Sequence, residues 1–422
     1  MPTPSLILVP ARFKTGKLYT PVATTSGGLV LGASGDFNVT RATTATRVNA
    51  SGLIESVASG IPRLDYYTSG GTAGCPALLV EPSGSNLATY SEDWTNYWNT
   101  ALNVTWSGNV SGTTDPYGTN VADAMFETSA TDNHAIFADY SVTSGTTYTF
   151  SFFVKSIIAR NVRINGSTNF PAQSTDVNLS TLAISGAGSG TCRVLNFGNG
   201  WARISQTYTA TGTGNGRFII YSMSGTTQSF QGSTNNGLYF FGAQLETGSV
   251  ATSYIATTTA SATRNADVIT LSGAVSGCIG QTEGTIYAEV DIQFANKNAD
   301  IIGLDSGSSA NGFYLVIRSS SVIELRIRQN STNALIFQRT GAYPVGINKI
   351  AVSYKNGDFA ISLNGTAAQV DTSTITMPSV AITRASVVPS INFTLDQSVK
   401  VRAAALYTTR LTNAELAALT TL

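Results

Sequence analysis

One histidine, His134, and three cysteines, Cys75, Cys192 and Cys278, are all that 422 residues offer to several kinds of chemistry. The cysteines are far apart, have no metal-ligand spacing and cannot all pair within one chain, which argues against a disulfide framework. A Ser-His-Asp site would have to use His134, and no G-x-S-x-G elbow accompanies it. Set in the polar stretch "SATDNHAIF", this histidine reads as a surface residue. Charge is scarce too: 11% of residues are charged, against about a quarter in a typical globular chain. The formal net charge is zero, so no basic field exists to attract a phosphate backbone, and nucleic acid is not an expected partner. No apolar run approaches the length of a membrane span. The opening "MPTPSLILVPARF" is too short, too interrupted by proline and too poor in basic residues to read as a signal peptide.

What the chain does have is 18 Phe, 17 Tyr, 4 Trp and 40 Gly, with Ser, Thr and Asn supplying solubility. Aromatic and β-branched residues broken by glycine turns predict an all-β protein, and the length predicts two or three domains. The last third is the most regular. In "TIYAEVDIQF", Ile286, Ala288, Val290, Ile292 and Phe294 share one face, the mark of a strand covered on one side. Phe313, Leu315 and Ile317, then Ile323, Leu325 and Ile327, repeat the pattern. Asn356-Gly357 is expected to give a hairpin turn with positive φ angles, and Asn364-Gly365 a second. Thr412 and Glu415 form the capping-box pair of a short terminal helix bearing Leu416 and Leu419. The middle region alternates likewise at Tyr148, Phe150, Phe152 and Val154.

These patterns predict two antiparallel β-sandwiches: a jelly roll over 86–256, a linker over 257–282, and a second sandwich with its short helix over 283–422. Residues 1–85 hold only brief apolar pieces such as "SLILV" and "ALLVEP". They are expected to be an irregular attachment segment, ordered by the next domain or by other chains.

Three blocks carry a resemblance: "RATTATRVNASGLIESVASGIPRLDY", "CPALLVEPSGSNLATYSEDW" and "GAQLETGSVATSYIATTTASATRNADV". Together, over about 36–270, they resemble a module of tailed-bacteriophage structural proteins described as head-spike, head-fibre or tail-fibre components. The resemblance implies a middle jelly roll similar to carbohydrate-binding modules. It departs at Ala256, where that family commonly carries proline. Residues 283–422 are similar to laminin-G and concanavalin A-like lectin domains, through "NKIAVSYKNGDFAISLNGT" and "AALYTTRLTNAEL". Arg41 and Arg264 each follow a threonine on either side of the middle region, either as anchors where the chain enters and leaves the jelly roll or by chance in a Thr-rich chain.

The expectation is therefore a non-enzymatic virion protein assembled in the host cytoplasm. By resemblance it would be a homotrimer, would contact other virion proteins through its N-terminal segment, and would bind host-surface glycans. A purely structural virion component and a glycan-cleaving enzyme are the alternatives; glycosidases need only two carboxylates, but the acids here are scattered. No cofactor is implied. Sugar rings pack their C–H faces on aromatics, with amides and acids holding the hydroxyls. Trp94, Tyr97, Trp98 and Trp106, beside Glu92, Asp93, Asn96 and Asn99, are the candidate glycan platform. Packing of the jelly-roll core is the competing reading of that cluster, and the favoured one, because large aromatics dominate cores. Trp201 reads as core. Asp291, Asp300, Asp305 and Asp358 lack the dense spacing of a calcium loop and read as solvated turn acids, so no metal is assigned.

Overall fold

The computed structural model describes residues 2–19, 22–23, 29–30, 36–68, 71–98, 100–272, 277–294, 296–387 and 398–421. Within them the chain is almost all strand, with two short helices, Trp94–Tyr97 and Asn413–Leu419. Every strand pairing is antiparallel.

The alternating apolar residues of the last third do face one core. Ile286, Ala288, Val290 and Ile292 from one sheet meet Phe313, Leu315, Ile323 and Leu325 from another. Phe313 stacks on Tyr354 across the gap, ring centroids 3.9 Å apart. Unexpectedly, this sandwich is completed from the other end of the chain. Leu6–Leu8 pairs with Val399–Tyr407, Leu6 opposite Leu406, and Gly71–Val80 pairs with the same strand. Phe37–Thr40 joins the second sheet beside Val268–Ser272. Leu6, Leu8, Leu18, Phe37, Val39, Leu64, Leu78 and Val80 all belong to its core. The expected irregular attachment segment at 1–85 is thus corrected: its brief apolar pieces are strands of the terminal sandwich. The expected linker is corrected likewise, because Val268–Ser272 sits between Phe37–Thr40 and Arg384–Val387 in a nine-stranded sheet.

A second core lies between these two halves in sequence. Phe150, Phe152 and Phe240 from a six-stranded sheet face Ile136, Ile164 and Phe218 from a seven-stranded one. Phe150 and Phe218 sit 4.9 Å apart between centroids. The middle sandwich is therefore an insertion in the outer one. The chain leaves along Gly84–Asn86 and returns along Ala262–Arg264, and these two segments pair with each other, Gly84 opposite Arg264. Apolar patterning lapses at 257–263 because this double crossing belongs to neither core.

Buried ions hold the crossing. Arg41 donates to Asp267 at 2.9 Å and to the carbonyls of Thr43, Val57, Ala58 and Ile61. Arg63 bridges Glu81, at 2.7 Å, and Asp267. Arg264 donates to the Pro82 carbonyl and lies 3.4 Å from Glu81. Arg41 and Arg264 do stand where the chain crosses between sandwiches, Arg41 held by Asp267 and Arg264 by Glu81, the two acids that Arg63 joins. Burial alone would raise the Glu81 carboxyl, but Arg63 and Arg264 outweigh it and hold the group well below the carboxylate range.

The terminal helix carries the expected capping box. It covers one end of an outer face that the sequence left open: Leu411 and Leu416 pack on Tyr287, Ala351 and Tyr407. The inserted sandwich approaches the other end, where Gln293 and Phe294 lie.

Candidate functional site

The tryptophan cluster faces inward. Asp93 caps the helix Trp94–Tyr97 by accepting from the Asn96 amide at 3.1 Å, and the Trp94 amide donates to Asp123 at 2.7 Å. This tether turns both indoles into the core. Trp94 is 0% and Trp98 1% exposed, 4.9 Å apart, with Trp94 stacked on Phe240 and Trp98 beside Phe150. Trp106 is half-buried and donates to the Trp98 carbonyl; Tyr97 donates to the Asp139 carbonyl and stacks on Tyr140. Asn96 is exposed, and half-buried Glu92 accepts from the Tyr254 hydroxyl. Asn99 lies outside the described residues. The platform is corrected to core, since its two central indoles have no face left for a ligand. Trp201 is buried as well.

His134 also departs from expectation. It is fully buried, with Nδ1 2.8 Å from the Asn103 carbonyl and Nε2 3.3 Å from the Phe230 carbonyl. Its place is inside the strand Thr131–Val142, in step with the inward Ile136, Ala138 and Tyr140. The four aspartates do not converge. Asp305 pairs with Arg384 and Asp358 with Arg410, while Asp291 and Asp300 are buried rather than solvated. Among the described residues no three His, Cys, Asp or Glu side chains are grouped to hold a metal.

Among the described residues, a cleft lies between the two sandwiches, about 600 Å³ including its open mouth. Strand alternation builds one wall. Cys192 and Val194 turn toward the insert core, so Arg193 and Leu195 point away from it. Leu195 lies opposite Arg203 on the paired strand, which sets Arg203 on that same outer face. Phe153 and Phe197 extend the wall. The outer sandwich supplies the other, with Asp65, Tyr67, Gln293, Phe294 and Lys400. Tyr67 and Phe197 stack across the junction, 4.9 Å between centroids and 17° between planes. Arg193 lies 4.1 Å over the Phe294 ring and donates to the Gln293 side-chain oxygen at 3.0 Å. Lys400 donates to Asp65 at 2.6 Å. Burial pushes the Tyr67 hydroxyl up to about 12 and the Arg193 guanidinium down to about 10.

Local sequence gives little sign of this cleft. Its walls come from positions near 65, 195, 293 and 400, and only the outward parity of Arg193 and Arg203 hints at a second covered face.

No protein-family model and no curated protein matches the chain. Among solved structures, it is similar to the CBM40 module of the Ruminococcus gnavus IT-sialidase, at 13% identity and a TM-score of 0.30, over 35% of this chain and 88% of that one. The receptor-binding domain of botulinum neurotoxin C/D mosaic serotype matches at 16% and 0.28, over 36% of this chain and 40% of that one. A leech intramolecular trans-sialidase matches at 15% and 0.29, over 35% and 24%. Likeness this distant carries nothing about ligand or activity.

Proposed function

We propose that this protein is a non-enzymatic component of a bacteriophage particle, a head or tail fibre, spike or decoration protein, that binds host-surface glycans in the cleft between its sandwiches. The observation that carries the glycan part is the cleft itself: a concave site with aromatic and aliphatic walls and a few fixed polar groups, the general form of a small-ligand site. The virion part rests on the three sequence blocks, as does assembly into a homotrimer. Binding is favoured over cleavage because the carboxylates lining the cleft are engaged, Asp65 by Lys400 and Glu81 by Arg63.

The test is binding of the full-length protein to polysaccharide extracted from candidate host surfaces, beside an Ala251→Trp variant that fills the cleft. Saturable binding lost in the variant, with its melting temperature retained and no sugar fragments released, is the expected result. Binding untouched by the filled cleft would move the site elsewhere, and released fragments would make the protein an enzyme. Light scattering checks the trimer.

A further inference from the structure

The wall of the cleft built by the inserted sandwich carries two cations that no carboxylate pairs with directly. Arg193 has Gln293 and the Phe294 ring; Arg203 has the Ser151 hydroxyl at 3.0 Å and the Phe153 ring at 5.3 Å. Among the described residues, neither lies within ion-pair distance of a carboxylate. The other charges facing the cleft are matched: Lys400 by Asp65, Glu81 by Arg63 and Arg47 by Glu55. Asp291 is near enough to favour the Arg193 charge but not to pair with it. Arg203 is 8% exposed, and its Nε has no acceptor among the described residues.

Burying an unpaired guanidinium is costly, and two on one wall repel each other as well. Burial depresses both groups, and Arg203 depresses Arg193 further; Glu246 and Glu81 are near enough to favour the Arg203 charge without pairing with it. An arrangement that costs stability in the free protein is accounted for if an incoming group supplies the missing negative charge. A guanidinium matches a carboxylate in a planar, two-toothed geometry. A bare inorganic ion would make no use of the apolar surface beside the arginines, which Leu195, Ala251 and Phe197 provide.

We infer that the cleft binds an acidic saccharide, its carboxylate held by Arg193 and Arg203 and its ring against the neighbouring apolar wall. This deepens the proposed function and rests on the cleft being the glycan site.

The experiment is calorimetric titration of the full-length protein with four probes: a glucuronate-containing oligosaccharide, a sialylated one, the carboxyl-reduced neutral form of whichever acidic probe binds, and inorganic sulfate. At least one acidic probe is expected to bind, with affinity falling on the order of tenfold or more in Arg193→Gln and on carboxyl reduction. Arg193→Lys, which keeps the charge and loses the fork, should fall between. Arg203→Gln should lose affinity while its melting temperature holds or rises, an outcome that loss of a structural ion pair would not give. Equal binding of the neutral form overturns the acidic ligand and leaves glycan binding standing. Undiminished acidic binding in both glutamine variants overturns the arginine assignment, and sulfate binding as tightly as the sugars makes this an anion site with no saccharide specificity. No binding by either acidic sugar overturns this inference, and the polysaccharide binding of the full-length protein then decides the proposed function separately.

Discussion

Trp94 and Trp98 show how one composition signal supports two readings at the scale of a residue, of which the structure follows the favoured one, core packing. A dense run of aromatics beside acids and amides is what a sugar platform needs, and also what a sandwich edge needs to close its core. Hydrogen bonding decides between them: the Trp94 amide is tied to buried Asp123, which commits the helix to face inward. Trp94→Ala and Trp98→Ala are therefore expected to cost about 3–5 kcal/mol each in urea unfolding, with glycan affinity unchanged in the fraction that folds. Affinity lost without stability would return the platform to the surface. For His134 the signal was present but passed over, since its even-numbered step with Ile136 places it inward.

At the scale of elements, the legible parts were those whose partners lie close in sequence. Alternation over 285–327 and the capping box at Thr412 and Glu415 are local patterns, and the structure has both. The two Asn-Gly turns share a dipeptide and differ in geometry. Asn364 and Gly365 both take positive φ, +48° and +74°, as a type I′ turn requires. Of the other pair only Gly357 does, at +76°, the requirement of a type II turn. Gly365→Ala should accordingly cost about 1 kcal/mol from the left-handed backbone, read as a shift in the denaturant midpoint. The strands at 1–80 were illegible for the opposite reason. Several are two to four residues long, too short to show a period, and their partners lie beyond the insertion.

The whole molecule is coupled through the ions at the double crossing, which gives its stability a direction with pH. Glu81 is held below its unfolded value of about 4.3, so the folded state takes up this proton less readily than the unfolded chain. Its contribution is complete above that value and is lost as pH falls below it. Buried Glu246 and Asp291 act oppositely: burial raises both, so each costs stability at neutral pH and is relieved on protonation. Glu81→Gln should lose about 3–5 kcal/mol at pH 7, by leaving Arg264 without a carboxylate and Arg63 with Asp267 alone, and less at pH 3. Urea midpoints of both proteins from pH 7 to pH 3 test this, and a penalty independent of pH would assign the acid sensitivity elsewhere.

The insertion also fixes an order of events during synthesis. Ser5 donates to the Leu406 carbonyl 401 residues on, so Leu6–Leu8 lacks its partner strand Val399–Tyr407 until those residues too have left the ribosome. The inserted sandwich has its full complement of core residues, Ala88 to Leu245, much earlier. At roughly 5–20 residues per second, Leu6–Leu8 waits some tens of seconds with an unpaired edge exposed, while the second core forms beside it. Nascent chains stalled soon after Thr258 emerges should resist protease over 88–245 and be cut within 1–80. Chains that also carry Val399–Tyr407 clear of the ribosome should resist over both ranges, so that strands near residue 6 are finished only after the insertion that follows them.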